Sequence, residues 1–228
     1  MGHAVAEAER VYRSELREEQ ARSTRRRVLA SARDAFIAHG YAGSTIRAIA
    51  AGAGVSVPTV ELLFGTKAGV LKAAIDVAIA GDDEPVPMLD RAWAEQARRA
   101  GSVEDLLAVA VDVMGPAQER AAGLVTAVLE AAAASPDLIG LRDQMIVQRE
   151  RTAGWLVERI TALAPLRPEL THRDAVETVW LLMDPAVFLR LTRQRGWSLP
   201  QYQDWVARSI RHLLLPDPDR SHSRRRNR

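Results

Sequence analysis

Apolar residues recur along this chain at intervals of three and four, with polar residues between them. No run of β-branched or aromatic residues alternates with period two. That periodicity predicts helices throughout and an all-α fold. Val28, Leu29, Ala32, Ala35 and Phe36 share one face of a helix predicted over 24–39, which Gly40 is placed to end. Ser44 can cap a second helix over 45–52, with Ile46, Ile49 and Ala50 on its inner face. Ser56 can cap a third over 57–64, where Pro58 is tolerated because first-turn amides have no intrahelical partner. Thr66 can cap a fourth over 67–80, and the stretch "GDDEPVP" at 81–87 then breaks the pattern.

Further helices are predicted near 88–99, 103–114, 117–134, 137–163, 171–195 and 198–215. Their separators are Gly101, Gly115–Pro116, Ser135–Pro136, the stretch "APLRPEL" and Gly196, and Pro185 is expected to kink or split the fifth. This divides the chain into a flexible N-terminal extension (1–21), a helix–turn–helix domain with a linking helix (22–80), a larger helical domain (81–215) and a disordered basic tail (216–228).

Composition narrows the class. With 228 residues and 47% hydrophobic content the chain can bury a core. It has no cysteine, which excludes disulfides and thiolate metal sites and fits a cytoplasmic protein. No window approaches the roughly 18 uninterrupted apolar residues of a membrane span. The first twenty residues mix Arg and Glu and lack the apolar segment of a secretory signal. The net charge of +2 hides a segregation: residues 22–72 carry eight basic residues against two acids, whereas 81–215 carry fifteen Arg against nineteen acids. A polyanion partner for the first unit follows, a solvated basic face being the alternative.

The stretch "AIAAGAGVSVPTVELLFGTK" at 48–67 carries the candidate chemistry. Gly52 and Gly54 could open a phosphate loop, but the dinucleotide fingerprint needs a preceding strand and a third glycine, and here helical "STIRAIAA" precedes and Val57 stands in the third place. No Lys-Ser/Thr pair completes a P-loop, no G-x-S-x-G elbow occurs, and the five histidines are scattered. No catalytic constellation, cofactor or metal site is therefore expected. The helix–turn–helix reading fits each position instead. Val55, Val60 and Phe64 would brace the second short helix from inside, leaving Val57, Pro58, Thr59, Glu61 and Leu62 directed outward, where a recognition helix meets base edges.

The segment 27–71, "RVLASARDAFIAHGYAGSTIRAIAAGAGVSVPTVELLFGTKAGVL", resembles the DNA-binding domain of the TetR family of transcriptional regulators. The resemblance rests on Ala35–Phe36, "HGY" at 39–41, Ser44–Thr45, Ile49–Ala50, "AGVS" at 53–56, Thr59, Phe64 and Lys67. It implies a homodimer on a palindromic duplex operator, a helical ligand-binding and dimerisation domain, and a small-molecule effector that releases the DNA, most often from a repressor. Family recognition helices usually carry an aromatic residue and a histidine where this chain has Glu61 and Leu63, and those side chains commonly reach the phosphate backbone. The alternative is thus a small-molecule-binding protein on the same scaffold with weak or lost DNA binding.

Within that frame Lys67 and Arg47 are the phosphate-contact candidates, and Thr45 and Ser56 can contact phosphate or simply cap their helices. Thr59 can hydrogen-bond a base or offer its methyl, while Pro58 and Leu62 supply apolar contacts. Glu61 has three destinations: a repelling phosphate, a cytosine amino group, or an intramolecular partner such as Arg47. The run Arg25–Arg27 can serve as a minor-groove arm or as a solvated helix start. Trp93, Met114, Met145, Trp155, Trp180, Met183 and Phe188 are the candidates for lining a ligand cavity, with plain core packing as the alternative. Arg149 or Glu130, if turned inward, would supply its polar anchor. Leu181, Leu182, Val206, Ile210, Leu213 and Leu214 form an apolar stripe on the last two helices that would serve the dimer interface or be buried within the chain.

Overall fold

The apolar stripe at residues 28–36 belongs to a helix much longer than the stripe itself. In the computed structural model, which describes residues 2–84 and 86–216 (side chains from residue 16 onward), helix α1 runs Gly2–Gly43. It is broken at Gly40, whose φ of 65° is the left-handed conformation that glycine adopts without a Cβ penalty. The expected helix start at 24 therefore lies mid-helix, and the tail 217–228 is outside the described residues.

Helices α2 (Ile46–Ala53), α3 (Val57–Phe64) and α4 (Lys67–Ala80) follow the predicted spans within a residue. The loop after Gly81 leads through a 3-10 turn, Met88–Asp90, into α5 (Ala92–Arg98). Next come α6 (Val103–Ala131), a 3-10 turn at Pro136–Leu138, α7 (Ile139–Leu163) and α8 (His172–Leu182). The chain closes with α9 (Pro185–Leu189), a π turn (Arg190–Gln194) and α10 (Leu199–Leu214). No strand occurs among the described residues.

Two predicted boundaries move. The helices expected over 103–114 and 117–134 are one helix, with Pro116 inside it. Proline removes the i to i−4 bond to the Asp112 carbonyl, and α10 ties down the residue before Asp112: Gln203 Nε2 donates to the Val111 carbonyl at 2.9 Å. Gln203 reaches that carbonyl across Gly115, where a Cβ would stand 2.8 Å from its Cγ. The span expected over 171–195 is split at Pro185, because Asp184 caps the new helix by accepting from the Ala186 amide at 2.8 Å.

Two hydrophobic cores result. The first joins Val28, Phe36, Ile49, Val60, Leu71 and Ile75 from α1–α4 to Leu124, Val125 and Val128 of α6. The second joins Leu106, Leu107 and Val111 of α6 to α5, α7, α8, α9 and α10. Helix α6 thus contributes one end to each core, so the two are connected through a single rigid element.

Candidate nucleic-acid interface

Local chemistry sets the α2–α3 corner. Gly54 ends α2 in the left-handed conformation (φ 63°, ψ 40°), and α3 leaves at 106° to α2, within the helix–turn–helix range. Gly52 serves the packing of α2 instead. A Cβ there would sit 2.4 Å from Ser31 Oγ, so its absence lets α2 close on α1. Ser31 uses that proximity to donate to the Ile49 carbonyl at 2.9 Å. Neither glycine serves a phosphate loop.

The caps are partly reassigned. Thr45 Oγ1 accepts from the Ala48 amide at 3.1 Å, whereas Ser44, expected to be the cap, is buried and donates to the Gly40 carbonyl at 2.7 Å. Ser56 caps α3 by accepting from the Thr59 amide at 3.3 Å, and its hydroxyl lies 2.8 Å from Thr59 Oγ1. Thr66 caps α4.

On α3, Val60 is fully buried and Phe64 half-buried, as the pattern required. Pro58, Glu61 and Leu62 are exposed, Leu62 at 87%, the highest exposure of any large apolar side chain described. Val57 departs from the outward set: it is half-buried against the first core, and Thr59 is half-buried too. Arg47 and Glu61 are both exposed and form no ion pair with each other or with another described residue, which removes Arg47 as the intramolecular partner of Glu61.

Lys67 is held differently from a solvated helix start. Its ammonium donates to the carbonyls of Tyr41 (2.9 Å) and Ser44 (3.1 Å) and lies 4.0 Å from the Tyr41 ring centroid. The phosphate candidate thus already ties the α1–α2 turn to the start of α4. Lys67→Ala is expected to lower stability by about 2 kcal/mol through loss of these charge-assisted bonds, measured by urea unfolding. An unchanged midpoint would show that the ammonium is free for solvent.

Tyr41, which sequence reading does not single out, extends the network. Its hydroxyl donates to the Asp137 carboxylate in the turn before α7, and burial together with that bond pushes its pKa up. Arg25 is likewise drawn away from an arm role: its Nε donates to Asp83 at 2.9 Å and its guanidinium stands 4.8 Å from the Phe64 ring centroid. Arg26 pairs with Glu19 at 3.1 Å. Arg120 of α6 completes the joint by donating to the Ala78 carbonyl at 2.8 Å, at the C-terminus of α4. The partners of Arg25, Tyr41 and Arg120 are 42 to 96 residues away in sequence, so no local pattern could announce them.

The seven cavity candidates do not converge. Met114 and Met183 line an interior pocket of only ≈ 10 Å³ together with Gly115, Gln118 and Tyr202. Trp93 lines a separate cleft of ≈ 480 Å³ at the joint between α4 and α6. Trp155 packs edge-on against Trp93 at 5.4 Å, Phe188 edge-on against Tyr202 at 4.9 Å, and Met145 lies against the first core. Trp180 sits under Arg149, 4.2 Å from its guanidinium. Glu130 points outward, while Arg149 turns inward to Asp184 at 2.7 Å and to the Trp180 carbonyl at 3.1 Å. Burial lowers the Arg149 pKa against the opposing pull of Asp184. Of the expected interface stripe, Val206, Ile210 and Leu214 are buried within the chain and Leu182 is half-buried; Leu181 and Leu213 remain exposed. The stripe is mostly intramolecular because α10 turns that face onto α6 and α8.

Short helices at a glycine turn, with the second presenting an uncovered face and a larger helical body behind it, define an all-helical helix–turn–helix fold. Residues 28–74 match the model of the bacterial regulatory proteins of the tetR family. Solved structures agree in fold over nearly their whole length. A Rhodococcus sp. protein assigned to the TetR-family transcriptional regulators is 14% identical with a TM-score of 0.62, covering 84% of this chain and 98% of its own. NalD, the secondary repressor of the MexAB-OprM multidrug efflux pump in Pseudomonas aeruginosa, is 18% identical with a TM-score of 0.63, covering 85% and 97%. FadR from Bacillus subtilis, solved in complex with stearoyl-CoA, is 16% identical with a TM-score of 0.63, covering 81% and 96%. No curated protein matches the chain significantly in sequence. No single helix among the described residues is long and apolar enough to cross a membrane.

Proposed function

We propose that this chain is a cytoplasmic transcriptional repressor that binds a palindromic duplex operator as a homodimer and is released by a small-molecule effector. The observation that carries the reading is the uncovered face of α3. Pro58, Glu61 and Leu62 stand exposed on a helix whose opposite side is locked by Val60, within a segment carrying eight basic residues against two acids. Burying Leu62 against a thymine methyl would recover apolar surface that folding leaves in water. NalD, a repressor, and FadR, which takes an acyl-CoA, share the fold and support the regulatory assignment. Exposed Leu181 and Leu213 offer the remaining apolar contacts for a dimer, which would set two α3 helices at half-sites about 34–36 Å apart. Capture of genomic fragments on the purified protein, followed by sequencing, tests the reading; recovery of a shared inverted repeat is expected, and no enrichment would overturn it.

A second reading, an effector-binding protein with weak DNA affinity, is favoured by two observations. Glu61 brings an unneutralised carboxylate to the contact face, and Lys67 engages its ammonium inside the protein. Glu61→Gln separates the two. Base readout through a cytosine amino group predicts operator binding weaker by about 1–3 kcal/mol, with relaxed discrimination at one base pair per half-site. A uniform gain on operator and random duplex would mean that Glu61 only repels the backbone, and the second reading would stand.

A further inference from the structure

We infer that the effector site lies in the cleft at the joint between α4 and α6, and that it takes a small apolar molecule headed by a carbonyl-type oxygen, an amide or a carboxylate. This inference rests on the effector-regulated reading and places its ligand. Size decides between the two cavities. The interior pocket, ≈ 10 Å³, has room for about one water molecule, while the cleft, ≈ 480 Å³, falls within the roughly 300–1,000 Å³ of small-molecule sites.

The cleft walls supply the chemistry. Ile79, Met88 and Val113 offer apolar surface beside the Trp93 ring. Trp93 Nε1 itself has no solvent contact and no hydrogen-bond partner among the described residues, so a head group meets it only when the ring turns toward the cleft. Indole N–H only donates, so its complement is an acceptor, and a buried donor left unmatched is costly. Arg120 stands on the same wall and forms no ion pair within contact distance among the described residues, although the Asp82 carboxylate acts on it from further off; its bonds to the carbonyls of Ala78 and Ile79 leave N–H groups to spare. Arg91 is not available in this way. Asp82 takes it bidentately, with its own pKa pulled down to about 2 mainly by that bond, and Val86 accepts from its Nε. Glu84 and Asp90 also line the cleft, but they are exposed, as Arg120 is, and charges at a wet rim contribute little whatever their sign. The buried donor therefore outweighs them in choosing the head group.

The position suits a regulator. The same wall holds the end of α4, which packs in the first core with α1–α3, and Arg120 of α6, which caps it. A head group that recruits Arg120 competes with its bonds to α4 and so alters the joint.

Octanoate, octanamide and octylammonium share one apolar body and differ in the head, so calorimetric titration of the full chain with each tests the site. Octanoate or octanamide is expected to bind once per chain and octylammonium not to bind. Trp93→Phe, which keeps a ring but removes the donor, is expected to weaken binding about tenfold. Val113→Phe, which fills the cleft, is expected to abolish it. Circular dichroism melting of each variant separates loss of the site from loss of the fold. Binding of octylammonium as tight as the others, no binding of any probe, or unchanged binding by folded Val113→Phe would overturn the proposal. Binding of the unliganded protein to DNA is read separately by fluorescence anisotropy. A protein that binds DNA but none of the probes sinks the cleft alone, whereas one that binds a probe but no DNA sinks the repressor reading.

Discussion

Asp184→Ala should lower the melting temperature by about 10 °C, corresponding to roughly 3–5 kcal/mol in a chain of this size. Asp184 and Arg149 form the most enclosed ion pair described, with side chains 15% and 19% exposed and a separation of 2.7 Å. Removing the carboxylate leaves the guanidinium enclosed among the Trp180 ring, the Trp180 carbonyl and α7 without a counter-charge. It also removes the cap of α9, because the second carboxylate oxygen accepts from the Ala186 amide. Asp184→Asn keeps a capping oxygen and discharges the pair, so its smaller loss isolates the electrostatic part. A shift under about 2 °C for the alanine variant in scanning calorimetry would show that water already screens the pair.

Leu124→Ala should cost about 2–5 kcal/mol by leaving a cavity in the first core. Its consequence should reach beyond its own helix. Leu124 is fully buried among residues of α1–α4, although it sits on α6 with residues of the second core at the other end. Amide exchange is therefore expected to accelerate in α2 and α3 as well as in α6. Acceleration confined to α6 would mean that the first four helices hold their core without it.

The helices at 46–53, 57–64 and 67–80 are legible in the sequence because every cue there is local. Ser56 and Thr66 cap amides three residues on, Gly54 supplies the left-handed turn, and Ile49 and Val60 mark the inner faces; the cap of α2 alone shifts, from the expected Ser44 to Thr45. The same locality explains how Pro58, Glu61 and Leu62 can be assigned outward from spacing alone. Val57 escapes that assignment because the first turn of α3 leans on the core, and a turn's lean depends on what stands beside it. Pro116 misleads for a related reason. A proline's local penalty is fixed, yet Gln203 on α10 ties down Val111, next to the interrupted bond, from 92 residues away.

The fate of the charged and aromatic side chains lies wholly in the tertiary structure. Lys67, Arg25, Tyr41 and Arg149 are all polar groups whose partners come from distant segments, and desolvation favours only the partner that packing brings within reach. Trp93 and Met183 are equivalent in sequence, apolar residues at helical spacing, yet one lines an open cleft and the other a closed pocket. The chain's own periodicity and caps determined the helical class, the spans of α2–α4, the glycine corner and the exposure of Pro58, Glu61 and Leu62, since these depend on backbone bonds and side chains within a few residues. Which helices share α6, which cations are engaged inside, and where a ligand-sized space remains were decided by the meeting of those helices, because volume and desolvation are properties of neighbours in space.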